Sequence, residues 1–112
     1  MDYDRYDVVI VPFPFTDKAQ VKRRPALVVS GSAAFNKKVG HSVMAMITSA
    51  NNPPWPLDVP ISDLDAAGLP AASVVRLKLF TLDHRFIIAK RGSLSDKDRK
   101  AVNRALKTVL GA

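Results

Sequence analysis

The sequence predicts a small, strongly curved, mostly antiparallel β-barrel closed by a C-terminal helix. Three observations predict it. Short apolar, β-branched runs recur between residues 7 and 89. Turn residues separate those runs, with no long linker, repeat or low-complexity stretch. Only Ser95 to Gly111 carries a helical repeat. With 112 residues, 47% hydrophobic and 24% charged, the chain has the length and composition of one globular domain over residues 1–112.

The first strand is read from DVVIVPFPF, Asp7 to Phe15, where Pro12 and Pro14 confine its far end to an edge or bulge. Thr16 to Arg23 reads as a polar loop, and PALVVS, Pro25 to Ser30, as a second, buried strand. Asn36 to Gly40 carries turn chemistry, and SVMAMIT, Ser42 to Thr48, is a third apolar run. These three runs are expected to pair as antiparallel neighbours. ANNPPWP, Ala50 to Pro56, has three prolines and two asparagines and reads as an exposed loop.

Leu57 to Ile61 gives a short strand, and SDLDAAGL a helical turn stopped by Gly68. Ser73 to Leu82 is a longer strand with Arg76 and Lys78 at alternating positions, and Phe86 to Ala89 completes the sheet. In the tail, Ser95 and Asp98 stand in capping-box relation and Gly111 supplies the stop. Val102, Ala105, Leu106, Val109 and Leu110 form one apolar face, leaving Lys100, Arg104 and Lys107 to water.

Charge narrows the function. The formal net charge of +7 produces a field that attracts polyanions: nucleic acid, an acidic protein segment or anionic lipid. Six basic residues lie between Lys18 and Lys38, and a second cluster runs from Arg76 to Arg91. The absence of cysteine excludes a disulfide framework and a thiolate metal cage. No apolar run is long enough to span a bilayer, and acids occupy the N-terminus where a secretory signal carries lysines, so a cytoplasmic protein with no membrane contact is expected.

No phosphate-binding glycine loop, HExxH or nucleophile elbow is present, and no cofactor is expected. Asp58, Asp63 and Asp65 read as capping and solvated carboxylates without a metal-site partner, so no metal is assigned. His41, near the start of the third strand, reads as a turn residue with a general base as the alternative, and His84 as a surface residue. What remains is Arg23-Arg24-Pro25 at the mouth of the second strand and Ile47-Thr48-Ser49 at the end of the third. If those strands are neighbours, a guanidinium and hydroxyls meet at one barrel end, a combination suited to a phosphate. Spacing alone favours the ordinary reading of these residues, with Arg24 lying along a core strand and Thr48 a strand-end hydroxyl.

Taken in order, Asp7-Val-Val-Ile-Val-Pro-Phe, Arg24-Pro25-Ala26-Leu27-Val28-Val29-Ser30, Ile47-Thr48-Ser49, Ala67-Gly68-Leu69, Thr81-Leu82-Asp83 and Gly92-Ser93-Leu94 resemble the MazF/PemK family of toxins from bacterial type II toxin-antitoxin systems. The resemblance implies an SH3-like barrel of the MazF/PemK/CcdB kind, usually a homodimer. It also implies an endoribonuclease that cuts single-stranded RNA at short sequences without a metal, and an acidic antitoxin that covers the RNA groove. It assigns catalysis to Arg24 and Thr48. Departures are local: Tyr6 precedes Asp7 where the family commonly has glycine, Arg23 replaces a glycine before Arg-Pro, and Lys78-Leu79-Phe80-Thr81-Leu82-Asp83 replaces a Gln-x-Arg-Thr-x-Asp pattern. The cleavage sequence therefore does not transfer.

RNA contacts are expected from Lys18, Gln20, Lys22, Arg23, Ser49 and Lys78. Trp55 reads as an anchor for an antitoxin or a second copy, with base stacking as the alternative. The competing function is a non-catalytic barrel that binds nucleic acid or a protein target such as DNA gyrase.

Overall fold

A computed structural model describes residues 2–13 and 22–112. Its strands are β1 (Asp7–Phe13), β2 (Lys22–Val28), β3 (His41–Ser49), β4 (Val59–Pro60), β5 (Ser73–Asp83) and β6 (Ala89–Ser93). The helices are α1 (Lys37–Val39), α2 (Leu64–Ala67) and α3 (Asp96–Leu110). All the strands form one antiparallel sheet in the order β4-β5-β3-β2-β1-β6, curled into a half-barrel with β4 and β6 at its edges. The predicted β1-β2-β3 meander is present. Near β6 the chain packs tightly against α2: a Cβ on Gly92 would sit 2.2 Å from the Ala66 carbonyl oxygen, and one on Gly68 would sit 2.3 Å from that of Arg91. Only glycine permits that approach.

Strand alternation divides the interior in two. Val8, Leu27, Ala45, Ile47, Val75 and Leu77 point to the larger cluster, which α3 covers with Val102, Ala105 and Leu106. Each of the two larger helix side chains contributes about 1.5–3 kcal/mol by leaving water. Val9, Val11, Ala26, Val28 and Met44 point the other way, into a second cluster with Tyr3 and Leu82.

Several expectations shift. β2 begins at Lys22, not Pro25, so Lys22, Arg23 and Arg24 are strand residues and not loop. Pairing with β1 extends through Phe13↔Lys22, and this ladder overrides the polar composition. The last strand is Ala89–Ser93, because residues 84–86 form a 3₁₀ turn that the Asp83 side chain caps by accepting from the Arg85 amide. The short strand before α2 shrinks to Val59–Pro60. Val109 and Leu110 are exposed, Leu110 at the rim of an apolar hollow it lines with Leu106, Val29, Val43 and Leu79. His84 is half-buried, its ring edge-on to Tyr3 with centroids 5.0 Å apart and its Nε2 2.7 Å from Ser42 Oγ.

Tyr6 adopts φ 75, the left-handed region that glycine enters freely, at the position where the sequence pattern of the resembling family carries glycine. Its amide donates to the Val28 carbonyl at 2.7 Å, and the guanidinium carbons of Arg5 and Arg99 lie 4.9 and 5.4 Å from its ring centroid. Strand pairing and cation–π contacts offset the strain.

The expected capping box is also rewired. Ser95 caps α3 by accepting from the Asp98 amide at 3.4 Å, but the Asp98 carboxylate reaches across the molecule. It accepts from the Ser62 amide and hydroxyl at 3.1 and 2.8 Å and from the Asp63 amide at 3.1 Å. Asp63 in turn caps α2, accepting from the Ala66 amide at 3.0 Å. A local signal has become a tertiary one, tying α3 to the segment that leads into α2.

Candidate functional site

The β2–β3 ladder runs only from Ala26↔Met46 to Val28↔Met44. It stops short of Pro25, which has no N–H to offer a further rung. Continuing the same register by two residues sets Arg24 across from Thr48, and alternation puts both on the face that carries Ala26 and Met46. The unladdered gap is a cavity of about 210 Å³ lined by Arg24, Pro25, Thr48 and Ser49, and closed from the β5 side by residues 69–73. The two residues expected to meet therefore share one hollow.

Arg24 is exposed, and among the described residues it makes no ion pair or side-chain hydrogen bond. Its fork of donors is available to an anion. Thr48 is half-buried, and its Oγ1 accepts from Asn52 Nδ2 at 2.6 Å. Ser49 is exposed and accepts from the Asn51 amide at 3.2 Å. A larger cavity of about 570 Å³ adjoins this one, sharing Pro25, Leu69 and Pro70 and ending at Asp65 and Arg91. Together they form a groove with a basic residue in each part.

Other expected contacts sit differently. Lys22 pairs with Phe13 and Arg23 with Pro12, so alternation turns Lys22 to the Arg24 face and Arg23 to the opposite one. A strand, unlike a loop, cannot gather three consecutive bases on one side. Lys78 does not line the Arg24 cavity. It stands where β5 bulges between its pairings with Ala45 and Met46, and its Nζ lies 4.3 Å from the Trp55 ring centroid. Trp55 is 44% exposed. Lys18 and Gln20 lie outside the described residues.

Asp58 is not a free solvated carboxylate. It takes a forked pair of bonds from Arg76, Nε at 3.2 Å and Nη2 at 3.0 Å, and accepts from the Trp55 amide at 3.0 Å. The Arg76 guanidinium holds the Asp58 carboxyl below the usual carboxylate range, and the bond raises Arg76 in return. Arg76 Nη2 also donates to the Pro53 carbonyl at 2.9 Å, so the whole 50–58 loop is fastened to β5. Sequence reading missed Asn52, this fastening and the wall at 69–73. Asn52 sits in a stretch whose composition signals only a turn, and nothing in spacing announces its bond to Thr48.

Among the described residues no three His, Cys, Asp or Glu side chains cluster as a metal site requires, and no helix is long and apolar enough to cross a membrane.

A curled antiparallel half-barrel with a C-terminal helix and a groove carrying Arg24 and Arg91 at the open end of its β2–β3 ladder is the architecture of MazF-type toxins. Residues 4–110 match the PemK-like, MazF-like toxin of type II toxin-antitoxin system family, and the chain belongs to it. Solved structures agree in fold. The MazF crystal structure (Form-I) from Deinococcus radiodurans superposes with a TM-score of 0.78 at 24% identity, covering 100% of this chain and 99% of that one. MazE-MazF (Form-III) from the same organism gives 0.78 at 26% identity, covering 99% and 98%. An endoribonuclease in complex with its cognate antitoxin from Mycobacterial species gives 0.75 at 21%, covering 98% and 94%. No curated protein sequence matches significantly.

Proposed function

We propose that the chain is a single-domain toxin of a toxin-antitoxin pair, cutting single-stranded RNA at short, selected sequences without a metal. One observation supports this most strongly: Arg24 and Thr48, brought from two strands, line one cavity that adjoins a larger, mainly apolar one ending at Asp65 and Arg91. In this reading the RNA's own 2′-oxygen attacks the adjacent phosphorus as its proton leaves. The bond to the 5′-oxygen breaks and that oxygen takes up a proton from solvent, matching the one the 2′-hydroxyl released to it, giving a 2′,3′-cyclic phosphate and a 5′-hydroxyl. No water or metal enters the balance.

Arg24 supplies donors in a rigid fork and stays charged, so it stabilises the extra negative charge of the phosphorane. Thr48 donates its proton to a non-bridging oxygen. Lys22 extends the positive edge on the same face, and Ser49 and the adjoining cavity toward Arg91 guide the strand. Trp55, with Lys78 over its ring, anchors an acidic antitoxin, because an aromatic beside an ammonium suits a hydrophobic residue flanked by carboxylates. A homodimer acting in the cytoplasm completes the reading.

The test is cleavage of mixed single-stranded RNA in excess chelator, with the new ends sequenced and their phosphates identified. Cyclic phosphate and 5′-hydroxyl ends, absent when the scissile ribose is replaced by deoxyribose, are expected. RNA bound tightly yet left uncut would make the protein a binder and end the nuclease reading.

A further inference from the structure

We infer that Asn52 is a positioning residue: its side-chain amide restricts the rotor of the Thr48 hydroxyl, turning the threonine proton away from the 50–58 loop and leaving it for the bound phosphate. This inference rests on the assignment of Thr48 to the RNA site. A threonine hydroxyl has one proton to give and two lone pairs to fill. Asn52 Nδ2 donates to Thr48 Oγ1 at 2.6 Å, and an amide nitrogen has no lone pair to accept in return. One acceptor site on Thr48 is thereby filled, and its proton must point away from Asn52.

The donor is itself held on both sides. The Asn52 amide donates to the Ser49 carbonyl at 3.1 Å, closing a turn directly after β3. The next residue's carbonyl, on Pro53, accepts from Arg76 at 2.9 Å, and Arg76 is braced by the Asp58 fork. The turn and the brace on Pro53 thus hold the Asn52 backbone beside the strand end, with its side chain in reach of Thr48. An exposed amide–hydroxyl bond competes with water and stabilises the free protein little. Once RNA covers the cavity and removes that water, the same bond presets the direction of the Thr48 proton, which is where preorganisation raises rate. Asn52 touches neither the phosphate nor the attacking oxygen in this account; it acts through Thr48 alone.

The experiment is single-turnover RNA cleavage by Asn52→Ala, Asn52→Asp, Thr48→Ala and the Asn52→Ala/Thr48→Ala pair, each checked for an unchanged circular dichroism spectrum. Asn52→Ala is expected to lower the maximal single-turnover rate about tenfold with the half-saturating protein concentration within about twofold, since the interaction matters in the transition state. In the Thr48→Ala background the same change should have no further effect. Asn52→Asp separates positioning from packing: an ionised carboxylate only accepts, so it captures the Thr48 proton and slows cleavage at pH 7. Relative to the wild type, that variant should recover as acid protonates the introduced carboxyl and restores a donor.

An equal loss from Asn52→Ala with and without Thr48 would assign Asn52 a structural role and overturn the inference. So would Asn52→Asp cleaving like the wild type at pH 7, because then the amide oxygen, not the nitrogen, faces Thr48. If Thr48→Ala is impaired while Asn52 variants are not, only this inference fails. If Thr48→Ala cleaves normally, the reading of the cavity fails with it.

Discussion

Replacing Asp98 by alanine tests whether the cleft wall is held by a buried charge. The carboxylate is 2% exposed and accepts from four donor groups: the Ser62 amide, the Ser62 hydroxyl, the Asp63 amide and the Ser95 hydroxyl. Hydrogen bonds to a charged group contribute roughly 1.5–3 kcal/mol apiece in isolation, but they share one desolvated acceptor and do not add. Ser62 and Asp63 are exposed, so water recovers part of the loss. A net cost of about 2–4 kcal/mol follows, a large share of the roughly 5–15 kcal/mol that stabilises a domain. The melting temperature should fall by about 10 °C, read by thermal circular dichroism. Asp98→Asn should cost as much, because its amide nitrogen would face backbone donors. Burial alone would raise the Asp98 carboxyl, yet the bonds from Ser62, Asp63 and Ser95 outweigh it and hold the group below its ordinary 3.8. A depressed carboxyl contributes stability that is present above pH 3.8 and lost as pH falls through the lower folded value. The gap between wild type and Asp98→Ala should therefore be full at pH 6 and shrink below pH 3.8. A shift under about 2 °C for both variants, or a gap that widens in acid, would refute the reasoning.

Gly92→Ala should cost about 3 kcal/mol or more in urea unfolding, because its Cβ would meet the Ala66 backbone oxygen at 2.2 Å, whereas Gly31→Ala, with open space around it, should be near neutral. Trp55→Ala should leave the KM for RNA within about twofold, since its ring is assigned to a protein partner; a rise of about tenfold, the scale of one lost base stack, would move Trp55 into the RNA path. Arg24→Ala should reduce the slope of log affinity for single-stranded RNA against log salt by about 0.7, the share of one phosphate contact, while Lys100→Ala on the solvent face of α3 should leave the slope unchanged.

The fold was legible wherever apolar periodicity and turn chemistry agreed. β1, β3, β5, α2 and α3 lie where Asp7-Val-Val-Ile-Val, Ser42 to Thr48, Ser73 to Leu82, the SDLDAAGL run with its Gly68 stop and the Ser95 and Gly111 caps put them. It failed where pairing overrode composition. Lys22-Arg23-Arg24 became strand because β1 supplies a ladder partner for each, and that change splits the basic triplet between two faces. Arg24 and Thr48 could be brought together from the sequence only by assuming the β2–β3 register. Asn52, Asp58, Arg76 and the 69–73 wall depend on contacts between segments far apart in the chain or hidden in turn composition, so no spacing rule reveals them. Pro25 was legible as a strand entry but not as the residue that ends a ladder and leaves a cavity.

The most direct measurement is the single-turnover cleavage rate of one defined single-stranded RNA, in chelator, by folded Arg24→Ala and Thr48→Ala proteins beside the wild type. Removal of a preorganised donor to the developing charge predicts a loss of about 10²–10³-fold for Arg24→Ala, with a smaller but clear loss for Thr48→Ala. Cleavage by either variant at the wild-type rate would contradict the claim that the two residues act on one phosphate.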